Sequence, residues 1–176
     1  MKFNGYTLKA VKSMATMDGF AYSGNIYFEG KKIGMACNNG FGGTTDVCFM
    51  PGIADCATHD EALTEDVVER LFTLHYYEKI FKLNAKDYPG AGTAFVTFAD
   101  RFDIKNYIVG PNQTVDSLAA WLHKTKPDWE IESIELFRSL DDFNIDEAQQ
   151  QEMADGGPDF ADDPGEDAGG MTMTMQ

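Results

Sequence analysis

The chain has 176 residues, 43% of them hydrophobic, and its 29 acidic and 14 basic side chains give a formal net charge of −15. This balance argues against direct nucleic-acid binding, because phosphate contacts need clustered Lys and Arg, and it favours a basic partner instead. No stretch of about 18 apolar residues and no apolar leader occurs, so we expect neither a membrane span nor secretion. Three cysteines without framework spacing favour reduced thiols, and hence the cytoplasm.

The N-terminal third predicts an antiparallel sheet. Its apolar residues cluster in short segments, and turn signals rich in Gly, Asn and Asp separate those segments. The short connections indicate a four-stranded antiparallel meander, with one face packed against the core and the other exposed to solvent. We expect a bulge at Ser23 and Gly24. The expected strands cover residues 6–12, 20–28, 33–37 and 44–50.

A long helix is expected next, over residues 64–82, with Thr58 or Thr64 as its N-cap. Its apolar residues fall on two nearly opposite sides at about 100° per residue. The helix therefore either breaks near His75 or is buried on two sides. One interpretation lays it across the sheet and covers it with the second half of the chain. The alternative leaves three residues for a groove on a partner, namely Tyr76, Tyr77 and Phe81.

The following segment predicts two strands, a helix and a final strand. The strands are expected at 93–98, 106–109 and 129–137, and Thr114 caps the helix that precedes the last of them. The order strand–helix–strand permits a right-handed parallel crossover. The fold class is therefore α+β: an N-terminal antiparallel four-stranded meander, a long helix, then a β-β-α-β unit.

The acidic side chains are concentrated at the C-terminal end. Between Arg138 and Gln176 there is no Lys, Arg or His, and this stretch holds 11 of the 29 acidic residues, which leaves 18 acidic against 14 basic side chains elsewhere. Gly, Pro and Asp dominate its later part, and such a segment buries too little to offset its ordering entropy. We expect one α+β domain over 1–139 and an acidic, largely disordered tail over 140–176.

The tail supports two binding hypotheses besides a purely solubilising role. Its carboxylates can mimic nucleic acid in a cationic channel, with salt-sensitive association. Alternatively, aromatic residues among acids form short motifs that enter an apolar pocket rimmed by Lys or Arg. Phe41, at the tip of the glycine-rich turn that joins the last two strands of the meander, is a further contact. The partner-binding candidates in the tail are Asp141, Asp142, Phe143, Asp146, Glu147, Asp159, Phe160, Asp162, Asp163, Glu166 and Asp167.

Catalytic and metal-binding motifs are weak. Cys56 and His59 have the three-residue spacing of a zinc-ligand pair, which makes a small zinc-stabilised domain or enzyme the alternative function. A hairpin symmetric about Phe41 would place Cys48 opposite Gly34, with its thiol pointing away from that of Cys37. The glycine-rich turn lacks the Gly-Lys-Ser/Thr ending of a phosphate loop. We therefore predict no enzyme activity, no catalytic residue, no cofactor and no bound metal.

Several segments near the N-terminus resemble those of other proteins. The segments Leu8–Lys12, Met17–Phe20, Asn25–Tyr27 and Gly30–Ile33 resemble the opening of small uncharacterised proteins of phages and mobile elements of Gram-positive bacteria, over about 40 residues. Small acidic proteins of such elements include inhibitors of host defence, among them anti-CRISPR proteins and other nucleic-acid mimics. The resemblance implies a non-enzymatic inhibitor of a basic host protein, such as a nuclease or CRISPR effector. A structural or assembly protein of the element is a further alternative.

Overall fold

A computed structural model describes residues 1–17, 20–99 and 101–147, without the side chains of 101–103. Within these ranges the fold is α+β, with three α-helices and nine strands in two sheets, which confirms the predicted class. In chain order the elements are β1 Lys2–Phe3, β2 Tyr6–Ala15, β3 Phe20–Phe28, β4 Lys31–Asn38, β5 Asp46–Phe49, α1 Cys56–Ala62, α2 Glu65–Asp87, β6 Gly92–Phe98, β7 Arg101–Val109, α3 Val115–Thr125, β8 Ile131–Phe137 and β9 Asn144–Ile145.

The first sheet has the order β5-β4-β3-β2-β1-β9. Strands β2 to β5 pair consecutively and antiparallel, whereas β9 runs parallel to β1. The second sheet has the order β7-β6-β8, and both outer strands are antiparallel to β6. Strands β7 and β8 therefore point the same way, and α3 crosses over between them. Thr114 and Ser117 form a capping box at the start of α3.

A bulge separates the two halves of the β2–β3 pairing. Ala10 and Val11 of β2 together oppose the single residue Gly24 of β3, so the extra residue lies on β2 and not at Ser23 and Gly24 as expected. A Cβ on Gly24 would lie 3.2 Å from Cγ2 of Val11 and 3.3 Å from Cζ of Phe72. The glycine thus lets the Phe72 ring of α2 approach the sheet closely.

Helix α2 packs against both sheets. It runs unbroken through His75, and Thr64 caps it by accepting a hydrogen bond from the amide of Val67. Phe72 faces the first sheet, and the Tyr77 ring stacks on Phe95 of the second, with centroids 3.9 Å apart. The interpretation of a helix buried on two sides is correct. The exposed partner-binding set is wrong for two of its three members, because Tyr77 and Phe81 are buried.

The folded body extends beyond the expected boundary at residue 139. A 3₁₀ turn spans Asp141–Phe143, and β9 follows it directly and pairs with β1. The Phe143 side chain is 0% exposed, and its ring stacks on Phe137 at a centroid distance of 4.1 Å. The prediction of Phe143 as a partner contact is therefore wrong. The acidic composition of this stretch did not predict core packing, but burial of the one large Phe143 ring holds the stretch against the core.

Candidate partner-binding groove

An open groove of about 690 Å³ runs along one side of α2. The β2–β3 ribbon and the glycine-rich turn after β4 form its opposite wall. It is lined by Val11, Ser13, Phe20, Tyr22, Asn38, Gly40, Gly42, Gly43, Glu65, Glu69, Phe72, Thr73, His75, Tyr76, Lys79 and Ile104. A concave surface of this size is large enough for a ligand or a short segment of another protein.

The helical wall of the groove is a single stripe of α2. Glu65, Glu69, Phe72, Tyr76 and Lys79 follow one another at spacings of four, three, four and three residues, which places them on one helix face. The buried residues on the other sides of α2 pack on the two sheets, whereas this stripe opens to the groove. Tyr76 is 46% exposed in the groove. The stripe therefore presents acidic, aromatic and basic side chains in that order.

The floor of the groove is aromatic and uncharged. The rings of Tyr22 and Phe72 lie 3.9 Å apart between centroids, and the Tyr22 hydroxyl is 2.6 Å from Oγ1 of Thr45. Burial raises the pKa of the Tyr22 phenol. The hydrogen bond with Thr45 opposes this effect, and the nearby carboxylates of Glu69 and Glu65 raise the pKa further. The phenol is therefore neutral at physiological pH, and the floor suits an apolar surface such as an aliphatic stem.

Two carboxylates form one end of the groove. Glu65 accepts a hydrogen bond from the amide of Thr45 at 2.9 Å, which joins the start of α2 to the segment before β5. Glu69 has neither a hydrogen-bond nor an ion-pair partner among the described residues. Burial raises the pKa of Glu69, and the negative charges of Glu65 and Asp66 raise it further. A cation at this end would favour the ionised carboxylate and offset the repulsion from Glu65 and Asp66.

The other end of the groove carries Lys79 and His75. Burial lowers the pKa of His75, against the opposing effect of Glu78, so the imidazole is neutral at pH 7. Lys79 has no hydrogen bond or ion pair within the described part of the chain. The nearby Glu78 is occupied by the N-terminal ammonium at 2.9 Å and by Lys82 at 3.2 Å. The groove is therefore negative at one end and positive at the other.

Side-chain hydrogen bonds hold the glycine-rich turn at the rim. Asn38 Oδ1 accepts from the amide of Gly40 at 2.7 Å, and Asn39 Oδ1 accepts from that of Phe41 at 3.0 Å. The Thr16 hydroxyl donates to the carbonyl of Gly40 at 2.6 Å and ties the turn to the end of β2. Phe41 is 69% exposed at the tip. Two predicted contacts lie at the groove within the described part of the chain: Tyr76 lines it, and Phe41 lies beside its rim.

The predicted acidic contacts lie elsewhere. Asp142 caps the turn after β8: its carboxylate accepts from the amides of Arg138 and Ser139. Partial burial opposes ionisation, but these hydrogen bonds hold the pKa of Asp142 below its ordinary value. Glu147 and Asn4 exchange two hydrogen bonds. Asp141 and Asp146 are exposed beside them, on the β9 edge of the first sheet. The remaining predicted contacts, Asp159, Phe160, Asp162, Asp163, Glu166 and Asp167, lie outside the described residues.

The cysteines and histidines do not converge. His59 is buried, with Nδ1 at 3.0 Å from the Tyr6 hydroxyl, whereas Cys56 is exposed. Cys48 pairs with Met35 and not with Gly34, which places it on the same sheet face as Cys37 and corrects the predicted register by one residue. Among the described residues there is no group of three or more His, Cys, Asp or Glu side chains able to hold a metal ion.

Comparisons of the chain with protein-family models, with curated proteins and with solved structures find no match. In residues 1–17, 20–99 and 101–147, no helix combines the length and the apolar character needed to cross a membrane.

Sequence reasoning missed the groove, although one signal was present. Tyr76 was predicted only as part of a set, with Tyr77 and Phe81, for a groove on a partner, and Glu65 and Glu69 were not predicted as contacts. Their heptad-like spacing with Lys79 was the signal that they share a face. The strands opposite this face could not be inferred, because Phe20 and Tyr22 reach it only through tertiary packing.

The unpaired carboxylate in the groove gives a stability prediction. Glu69→Gln is expected to raise the melting temperature slightly at pH 7 and to leave it unchanged near pH 3. The pKa of Glu69 is higher in the folded state than in the unfolded state. Above the folded-state pKa, ionisation of Glu69 therefore reduces the free energy of unfolding. Below the unfolded pKa of about 4.3 the side chain is protonated in both states, so this reduction is absent. Differential scanning calorimetry over this pH range measures the effect. Glu132→Gln, an exposed residue of β8, controls for the loss of a surface carboxylate. Destabilisation by Glu69→Gln at pH 7 would contradict the prediction.

Proposed function

We propose that this protein is a non-enzymatic binding protein that holds a basic segment of a partner protein in its groove. The observation that carries the proposal is the position of Glu69: a carboxylate without a partner among the described residues, beside an aromatic floor. Arg and Lys side chains match such a site, since their aliphatic stems pack on apolar surface while their charged ends remain accessible to carboxylates.

The surroundings of Glu69 support a cationic occupant. Phe20 is 59% exposed and Tyr76 46% exposed, so two aromatic rings remain open to a ligand on opposite walls. A cation near an aromatic face gains about 0.5–2 kcal/mol, in addition to its attraction to a carboxylate. Exposed Phe41 extends the apolar contact beyond the rim. These features select against an acidic or purely apolar segment.

The acidic C-terminal stretch has a second, longer-range part in the proposal. Its carboxylates would attract a basic partner before contact and accelerate association at low salt. Together with the resemblance to proteins of mobile elements, this charge makes a host nucleic-acid-processing enzyme, such as a nuclease or CRISPR effector, the partner to test first. Occupation of a phosphate-binding channel by the acidic protein would inhibit such an enzyme in the bacterial cytoplasm.

Capture from a bacterial lysate tests the proposal. The immobilised wild type is compared with the double variant Glu65→Lys/Glu69→Lys and with a charge-matched control, Asp116→Lys/Glu132→Lys, whose sites are exposed and outside the groove. Quantitative mass spectrometry should show basic proteins enriched by the wild type and by the control. The groove variant should capture them at least about tenfold less, because like charges would then face each other at the contact.

A truncated chain and a series of salt concentrations make the capture test more specific. A chain that ends at Glu147 should keep groove-dependent capture but lose part of the low-salt enhancement, which separates the groove from the acidic stretch. Capture should fall between 50 and 300 mM salt because exposed charges are screened over about 10 Å at 0.1 M. Equal capture by the wild type and by the groove variant would contradict the proposal.

A further inference from the structure

We infer that the groove selects a segment with two charges: a basic side chain at the Glu69 end and, four or five residues away along the same extended segment, a carboxylate at the Lys79 end. The inference rests on the proposed function and deepens it, since it defines the sequence pattern that a partner must carry.

The geometry of α2 sets the spacing. Glu69 and Lys79 are ten residues apart on one helix, and a rise of 1.5 Å per residue separates them by about 15 Å along the axis. An extended segment advances about 3.3 Å per residue, so four or five residues cover the same distance. A groove volume of about 690 Å³ accommodates several side chains and not only one. The two charged ends therefore match a short peptide better than a small cation.

The charged side chains at the two ends of the groove are not paired with other described side chains. Glu69 and Lys79 are each without a hydrogen bond or ion pair to any described residue. Glu78, the acidic neighbour of Lys79, binds the N-terminal ammonium and Lys82 and leaves Lys79 uncompensated. His75 adds no positive charge at pH 7, because burial favours its neutral form. Lys79 is thus the positive group that a carboxylate at this end would meet.

The middle of the groove separates the two charges. Phe72 and Tyr76 lie between Glu69 and Lys79 along α2, and Tyr76 and Phe20 of β3 are exposed in the groove. Aromatic walls favour an apolar side chain between the charged positions, since its burial contributes about 25 cal/mol per Å². The expected pattern is a basic residue, a short spacer with at least one apolar residue, and an acidic residue.

Two synthetic peptides test this pattern on the full chain. The first is acetyl-Arg-Ala-Leu-Ala-Ala-Glu-amide, and the second carries Gln in place of Glu. Titration followed by NMR should show about two- to fivefold tighter binding of the first peptide, the range expected for one exposed ion pair. In Lys79→Gln the two peptides should bind equally, while Lys86→Gln, an exposed residue of the same helix, should preserve the difference.

The outcomes separate this inference from the proposed function. If both peptides bind the wild type equally and both weaken in Glu69→Gln, the groove binds basic segments but Lys79 does not select a carboxylate, and the inference is overturned. If neither peptide binds, the inference also fails, and lysate capture by the groove variant then decides the proposed function. A preference for the first peptide that persists in Lys79→Gln would assign the carboxylate contact to another residue and overturn the inference as well.

Discussion

Phe143→Ala is expected to destabilise the protein by about 3–5 kcal/mol, a large part of the 5–15 kcal/mol that holds a domain of this size together. The ring is fully buried, stacks on Phe137 and meets Phe81 at a centroid distance of 5.5 Å, so its removal leaves a cavity between α2 and β8. Urea denaturation followed by circular dichroism measures the loss. Leu140→Ala, at a side chain that is 47% exposed three residues earlier, should cost far less and serves as the control.

Truncation tests the same feature independently. A chain that ends at Glu147 should unfold at nearly the same urea concentration as the full chain, whereas a chain that ends at Ser139 should lose both Phe143 and the β1–β9 pairing. The shorter truncation is therefore expected to be largely unfolded. If it keeps the stability of the full chain, Phe143 and β9 contribute nothing to the fold, and the domain ends where the charge distribution suggested.

Tyr77→Ala is expected to cost a similar 3–5 kcal/mol, whereas Tyr77→Phe should cost less than about 1 kcal/mol or be stabilising. The Tyr77 ring is 0% exposed and nearly parallel to Phe95, with an interplanar angle of 7°, so it connects α2 to the second sheet. Its hydroxyl has no hydrogen-bond partner among the described residues. Burial raises the pKa of this phenol far above its ordinary value, which keeps it neutral. Replacement by Phe removes a buried polar group without making a cavity.

The pair of variants separates the ring from the hydroxyl. Thermal unfolding of Tyr77→Ala and Tyr77→Phe at the same pH gives the loss of unfolding free energy for each variant. A cost of Tyr77→Phe that approaches that of Tyr77→Ala would show that the hydroxyl makes a stabilising contact. Glu135 and Arg70, which form a bidentate ion pair between β8 and α2 with Nη1 and Oε1 at 2.8 Å, would be the first partners to examine.

The candidate site combines features that do not maximise stability. Glu69 is partly desolvated next to Glu65 and Asp66, and Phe20, Phe41 and Tyr76 expose aromatic surface. An unpaired carboxylate and open aromatic rings are unfavourable in the isolated chain but favourable once a basic segment covers them. Binding surfaces commonly show this conflict between stability and function.

Local patterns in the sequence predicted much of the fold. Thr114, and Thr64 as one of two candidates with Thr58, were predicted as helix caps because their position before an apolar periodic segment is a local signal. The caps at Thr64 and Thr114 both form. Strands β2 to β5, four of the six in the first sheet, were located from Gly- and Asn-rich turns, which also depend on neighbouring residues only, whereas β1 and β9 were not predicted. The class α+β followed from the order of these elements.

Features that depend on distant contacts were not predictable in the same way. The register of β5 was displaced by one residue, since a hairpin symmetric about Phe41 is only one of several loop geometries. The bulge was expected on β3 but forms on β2. The close approach of Phe72 to Gly24 was not predictable either, because it involves a helix about 50 residues away in sequence.

The sequence by itself determined the class, the helix caps, the aromatic content of the core and the concentration of negative charge near the C-terminus. Tertiary structure alone decided that Phe143 is a core residue and that Glu65, Glu69, Tyr76 and Lys79 line a groove with Phe20 and Tyr22. The physical reason is the range of the interactions. Caps, turns and charge counts arise from residues close in the chain, whereas burial and a two-walled groove require elements that meet only after the chain has folded.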